Sequence, residues 1–338
     1  MESLKLAARE LEKANELLLL GHMMPDGDCL GSMLALGQAL RAKGKKVEWA
    51  VPDPVPSNLA FLPGAAEVKV GPQAVKGAKP DLIVVLDTST PERLGDLRRP
   101  FDELRRSGAK AMLIDHHVTA IPFADHNFIF PEAAAVGEVV FELLREMSLF
   151  PLTPDIATCL YTAIVTDTGC FQYETTLAST HRRVAELIEV GVKVREVSLR
   201  LFEEKPREQI VALREALKTL RFSPCGRLAW MWLDRETMVA NGILGEHTNG
   251  LVNYARQIRG VELALFFWEV KKDLVKVSFR SKCHLDVNRL AGLFGGGGHI
   301  RAAGALIPGR LEDVVARVVA AGLEALGREG IYNSDRGA

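Results

Sequence analysis

Three short, unbroken apolar runs each end on residues able to hold a metal or move a proton, and this pattern most constrains the fold. Asn15 to Gly21 ends in a leucine run and is followed by His22. Asp81 to Leu86 reads DLIVVL and is followed by Asp87, while Lys110 to Ile114 reads KAMLI and is followed by Asp115, His116 and His117. Continuous runs of this length fit strands buried on both faces. Lys46 to Val51 reads as one more strand. Helical spacing fills the intervals: Leu30, Met33, Leu34, Leu36 and Leu40 mark a helix over Cys29–Lys43, with Gly44 as its stop. Similar patterns cover 133–147, 154–165 and 177–190. Alternating strands and helices predict an α/β fold, with a mostly parallel sheet and helices on both faces.

At 338 residues the chain has the length of two domains of about 150 residues each. Residues 1–190 form the first. Residues 191–225 are charged and helical in pattern, with Pro206 near the start of a second segment, and read as a helical connector. Residues 226–338 then form a smaller α/β domain. Its strands fall at 226–233, 261–270 and 274–280, and a short helix at 286–294 precedes a glycine run. A strand–helix pair ending near Gly327 closes it, and the polar tail from Arg328 to Ala338 reads as frayed.

Composition removes several classes. Apolar residues make up 48% and charged residues 25%, which excludes collagen, a disordered chain and a disulfide mini-protein. Apolar stretches such as Leu17–Leu20 fall far short of the ~20 residues of a membrane span. Met1–Lys13 mixes charges and shows no export signal. Five cysteines without a C-x-x-C pair suit reduced thiols and a cytoplasmic setting. The net charge of −1 argues against long nucleic acid as a tight ligand. It is unevenly placed: residues 1–190 sum to −7 and residues 191–338 to +6. An acidic half accommodates divalent cations, and a basic half can hold an anion.

The candidate chemistry lies just past the apolar runs. GHMMPDGDCLGS supplies His22, Asp26 and Asp28; VVLDTST supplies Asp87; LIDHH supplies Asp115, His116 and His117; VTDTGCF supplies Asp167. In an open parallel sheet, ligands bind beyond the carboxyl ends of the strands, so three strands deliver these groups to one edge. Each residue has a plainer role open to it. Asp28 can cap the following helix, Asp87 can cap a turn with Thr88, and His22 can be structural. As a set they are harder to explain without cations, because four aspartates and two histidines packed together repel or take up protons. Oxygen and imidazole donors without thiolate suit Mn²⁺, and also Mg²⁺, Co²⁺ or Zn²⁺. Six ligands exceed one catalytic ion and fit two ions roughly 3.5–4 Å apart that share a carboxylate. In the second half, FGGGGHIRAAG places Gly296, Gly297 and Gly298 before His299. A glycine run admits an anion close to backbone N–H groups, and a helix start after it would favour negative charge. Arg280 and Ser281 end the preceding strand and can add charge-assisted hydrogen bonds.

Taken in order, H-x-x-P-D-G-D-x-x-G-S, a strand-end Asp followed by Arg93, D-H-H, T-D-T-G-x-F and G-G-G-H-x-x-A-A-G resemble the DHH phosphoesterase family with its DHH-associated C-terminal domain. The resemblance reaches to about residue 327 and is greatest to the NrnA-type branch, whose members act on very short oligonucleotides and remove the 3′-phosphate from pAp. It implies that His22, Asp26 and Asp87 hold one metal, that Asp28, Asp87, His116 and Asp167 hold the other, and that Asp87 bridges. It implies that His117 contacts the scissile phosphate and that Asp115 orients a histidine. Arg93, Arg280 and His299 correspond to substrate contacts. It further implies a substrate cleft between the two domains and a homodimer. Hydrolysis of pApA or cyclic dinucleotides, a RecJ-like exonuclease, a family II pyrophosphatase and a non-catalytic nucleotide sensor are the rival readings. The pyrophosphatases lack the glycine-rich pattern, and RecJ chains carry an added nucleic-acid-binding fold.

Overall fold

A computed structural model describes residues 2–334. The chain divides into two compact units, one ending at Glu204 and the other starting at Lys205. The expected connector is therefore split, residues 191–204 folding with the first unit and 205–225 with the second. None of the described helices is long and apolar enough to cross a membrane.

The first unit contains α1 (Glu2–Lys13), β1 (Glu16–Leu20), α2 (Gly27–Ala42), β2 (Lys46–Val51), β3 (Lys69–Val70) and β4 (Leu82–Leu86). It continues through α3 (Arg98–Arg106), β5 (Lys110–Asp115), β6 (His126–Ile129), α4 (Val136–Glu146), α5 (Pro154–Asp167), α6 (Ala178–Val190) and α7 (Val194–Ser198). A π-helical turn, Leu199–Glu203, ends the unit. All six strands are parallel, in the order β3-β2-β1-β4-β5-β6. The order reverses between β1 and β4. A crevice opens at such a switch point, beyond the carboxyl ends of the strands.

Side chains alternate across each strand. Leu17 and Leu19 of β1, Val84 and Leu86 of β4, and Met112 and Ile114 of β5 pack into the larger core with α1, α2, α4 and α5. Leu18, Leu20, Ile83, Val85, Ala111 and Leu113 face the other way, onto Phe101 of α3 and Leu94 and Leu97 before it. Burial on both faces explains why these strands read as unbroken apolar runs. α2 and α5 meet closely, since a Cβ on Gly31 would lie 2.4 Å from the Cys159 carbonyl oxygen and 3.0 Å from the Ala163 Cβ.

The second unit contains α8 (Arg207–Lys218), β7 (Arg221–Phe222), β8 (Leu228–Leu233), α9 (Arg235–Ala240), α10 (Val252–Arg256) and β9 (Leu263–Lys271). β10 (Leu274–Ser281), α11 (Val287–Gly292), β11 (Gly297–His299), β12 (Ala302–Pro308) and α12 (Leu311–Ser334) complete it. Its sheet runs β11-β12-β10-β9-β8-β7 and is mixed: β8 and β9 pair parallel, and the other neighbours pair antiparallel. Leu263, Leu265 and Phe267 of β9 join one core with α11 and α12, while Ala264 and Phe266 join another with α8, α9 and α10.

The strand–helix pair expected after the glycine run is β12 and α12, so no helix start stands directly behind the run to favour an anion. The tail expected to fray is helical to Ser334, and only 335–338 of it lie outside the described residues.

Candidate metal centre

His22 stands two residues past β1. Its Nδ1 lies 2.8 Å from the Met23 carbonyl oxygen, which fits an Nδ1–H donor and leaves Nε2 facing inward. Nε2 is 3.4 Å from Asp87 Oδ2 and 3.7 Å from Asp26 Oδ1. Arg93 Nη2 lies 2.9 Å from the same Nδ1 and can donate to it only in the other tautomer. Asp26, not Asp28, is the cap of α2, its Oδ1 accepting the Cys29 N–H at 3.1 Å.

Asp28 is instead buried in the first turn of α2 and turned onto α4. Oδ2 accepts the Val136 N–H at 2.6 Å, and Oδ1 accepts the Gly137 N–H at 2.8 Å and the Ser32 hydroxyl at 3.0 Å. These three donors were not picked out as functional from the sequence. Ser32 did carry a signal there, because it stands four residues after Asp28 and so on the same helix face.

Asp87 is 3% exposed and adopts φ +53°, left-handed backbone that an aspartate occupies at some cost. It does not cap Thr88, whose hydroxyl donates to the Leu86 carbonyl. Its carboxylate reaches sideways. Oδ2 faces His22, while Oδ1 lies 3.7 Å from His116 Nε2 and 3.5 Å from His117 Nδ1.

His116 Nδ1 lies 3.0 Å from the Ala133 carbonyl oxygen, and Nε2 points toward Asp167 Oδ2 at 3.3 Å and Asp28 Oδ2 at 3.8 Å. A carbonyl behind each of His22 and His116 fixes ring orientation, a support that metal-binding imidazoles commonly need. Asp115, fully buried, accepts the His116 and His117 backbone N–H groups and His117 Nδ1 on one oxygen.

The result is two groups, His22–Asp26–Asp87 and Asp28–His116–Asp167, with potential ligand atoms in each within 4.8 Å of one another. Asp87 also groups with His116 and His117 on the same criterion. The electrostatics register the crowding. Burial, then Asp87 and Asp167, push the Asp28 carboxyl well above the usual range. Burial raises Asp167 to about 7, with Asp87 and Asp26 adding to it against the lowering pull of His116 and His117. Burial alone would lower His116, but Asp167, Asp28 and Asp87 raise it to about 9. Buried acids that keep protons and a buried imidazole that gains one mark an uncompensated negative cluster, and the oxygen–imidazole donor set fits hard or borderline divalent cations.

The substrate-contact candidates divide between the units. Arg93 lies against His22, and among the described residues its buried Nε has no hydrogen-bond partner. In the second unit, Arg280 of β10 pairs with Ala302 of β12, which pairs in turn with His299 of β11. Arg280 Nη1 donates to the Phe279 carbonyl at 2.9 Å. Ser281 is buried, its hydroxyl without a partner among the described residues. The glycine run is packed more tightly than the sequence suggested. The Gly296 N–H donates to the Ala291 carbonyl and the Gly298 N–H to Asn288 Oδ1. A Cβ on Gly296 would fall 2.2 Å from the Gly304 carbonyl oxygen, and one on Gly298 2.5 Å from that of Ala302. Strand packing alone thus requires glycine at 296 and 298.

Residues 16–164 match the DHH family N-terminal domain, and residues 237–324 match the DHHA1 domain. A relative from Thermus thermophilus is 33% identical over 337 residues, covering 97% of this chain and 96% of its own. This chain belongs to the DHH family. A second DHH relative, from Bacillus subtilis, is 33% identical over 303 residues, covering 88% of this chain and 91% of its own. Both carry the name bifunctional oligoribonuclease and PAP phosphatase NrnA. The crystal structure of an exopolyphosphatase-related protein from Bacteroides fragilis superimposes with a TM-score of 0.87 at 25% identity, covering 97% of this chain and 96% of that one. The RecJ of Thermus thermophilus shares the fold at a TM-score of 0.57 and 14% identity, matching 96% of this DHH chain and 55% of its own.

Proposed function

We propose that this chain is a Mn²⁺-dependent phosphohydrolase that degrades very short oligoribonucleotides to mononucleotides and converts pAp to AMP and phosphate, acting in the cytoplasm. The observation that carries the reading is Asp87, one carboxylate oxygen toward His22 and the other toward His116. Relatives named as oligoribonuclease and PAP phosphatase over nearly the whole chain support the substrate class.

In this reading His22, Asp26 and Asp87 hold one divalent cation, and Asp28, Asp87, His116 and Asp167 hold a second. Bound there, such ions supply positive charge that activates a water and neutralises the phosphate. The chain's own residues do the rest. Asp115 keeps the Nδ1 proton of His117 in place. As the water oxygen bonds to phosphorus and the P–O bond to ribose breaks, His117 gives the departing ribose oxygen a proton from Nε2. Arg93 in the first unit grips substrate phosphate, and so do Arg280, Ser281 and His299 in the second, where Gly296, Gly297 and Gly298 form the close-packed backbone of the same sheet edge. The active assembly is a homodimer.

The test is an assay of purified protein with Mn²⁺ on pAp and on di- to pentanucleotide RNA, alongside pApA, short DNA, cyclic dinucleotides and pyrophosphate. The expected products are phosphate plus AMP from pAp, and mononucleotides from RNA. No turnover of either substrate would overturn the proposal.

A further inference from the structure

Glu262 stands one residue before β9 and is only 7% exposed. A buried carboxylate needs compensation, and among the described residues no Lys or Arg hydrogen-bonds this side chain. Three consecutive backbone N–H groups do. Oε1 accepts from Cys283 at 3.1 Å, His284 at 2.6 Å and Leu285 at 3.0 Å, and Oε2 lies 3.2 Å from the Cys283 N–H. Burial would raise this carboxyl, but the Leu285, His284 and Cys283 amides outweigh it and hold it below the ordinary glutamate range.

The loop that Glu262 grips is bonded on its far side to the turn after the glycine run. The Ser281 N–H donates to the Arg301 carbonyl at 3.1 Å, the Val287 N–H to the Ile300 carbonyl at 2.8 Å, and Arg301 Nη1 to the Leu285 carbonyl at 3.2 Å. Asn288, in the helix that the loop enters, accepts the Gly298 N–H at 2.9 Å. One carboxylate therefore sets a loop, and the loop sets the backbone at 298–301, which includes His299.

We infer that Glu262 is a positioning residue for substrate capture, holding the 298–301 turn in register with Arg280 through the 283–285 loop. This rests on the reading that His299 and Arg280 grip substrate phosphate. A role confined to stability would lower all activities together as folded protein is lost. Positioning predicts a change in KM for substrates that reach the second domain, and none for a small activated ester that does not.

The experiment compares Glu262→Ala and Glu262→Gln in the full chain with Mn²⁺. Gln keeps one acceptor oxygen and so retains part of the grip. The KM for pAp should rise about threefold to tenfold in Gln and about tenfold to a hundredfold in Ala, with kcat within about twofold. Hydrolysis of bis-p-nitrophenyl phosphate should stay within about twofold of wild type in both. Amide exchange at 298–301 should quicken in the Gln variant without any substrate present. If Ala does not fold, Gln decides alone. An unchanged KM for pAp in the folded variants, a parallel loss on the small ester, or unchanged exchange at 298–301 would overturn the inference. Wild-type protein inert toward pAp would instead overturn the functional reading, and the exchange arm would still judge Glu262.

Discussion

Asp115 Oδ1 lies 2.8 Å from His117 Nδ1, and the same oxygen accepts the backbone N–H groups of His116 at 2.7 Å and His117 at 3.2 Å. One buried oxygen thus sets both the ring and the main chain of the adjacent histidine pair. Asp115→Asn replaces the carboxylate oxygen at His117 Nδ1 with an amide, whose NH₂ can compete for that nitrogen and turn the ring. The expected result is a fall in kcat of about a hundredfold, with KM and Mn²⁺ content little changed. Steady-state kinetics and metal analysis check it, and an unaltered kcat would remove His117 from proton transfer.

Asp87→Asn should cost more activity than any other single ligand change, because the lost oxygen charge faces both halves of the cluster. The apo-protein should keep its fold, since Asn has the same shape and its neutral amide no longer repels the Asp28 and Asp167 carboxyls. Near-normal Mn²⁺-dependent turnover with a normal melting curve would show that Asp87 does not bridge.

Cation binding should release protons. Without a cation His116 holds its proton up to about 9 and Asp167 holds one up to about 7. Both protons must leave before those atoms can act as ligands, so Mn²⁺ affinity should rise with pH across this interval and fall as pH drops below it. Titration calorimetry in two buffers of different ionisation enthalpy measures the protons displaced. An affinity independent of pH would mean that neither group is a ligand.

Gly31→Ala tests how the helices deliver the cluster. The new Cβ would meet the Cys159 carbonyl oxygen at 2.4 Å, a backbone atom that cannot swing aside. α2 must move from α5, taking Asp28 from Asp167. The expected cost is about 1–3 kcal/mol with weaker Mn²⁺ binding. Gly292→Ala, where a Cβ meets nothing within 4 Å, should leave both unchanged. Thermal melts and Mn²⁺ titration of the two variants check the contrast, and equal behaviour would remove the close-approach argument.

Much of this was legible in the sequence because burial on both faces leaves an unbroken apolar run, as in Leu17–Leu20 and Leu82–Leu86. The residues after those runs then fell at one sheet edge, as the parallel topology requires. β3 escaped because it is two exposed residues long, and β6 because only Phe128 of its four residues is buried. α3 carries mostly charged residues and buries Phe101 alone, so it gave no apolar stripe. Which of Asp26 and Asp28 caps α2 was not legible from the residue pattern: both stand at the start of an apolar helix, and the approach of α4 buries Asp28 and leaves the cap to Asp26. The glycine run was open to two explanations, and the approach of β12, a tertiary contact, supplied the packing one.

The central claim is that the His–Asp cluster is a two-cation hydrolytic centre. Metal analysis of wild-type protein equilibrated with Mn²⁺, with phosphate release from pAp measured on the same preparation, tests it most directly. The account predicts two Mn²⁺ per chain, loss of both metal and turnover on chelation, and recovery of both when Mn²⁺ is restored. A single ion per chain with full activity, or turnover that persists after chelation, would contradict it.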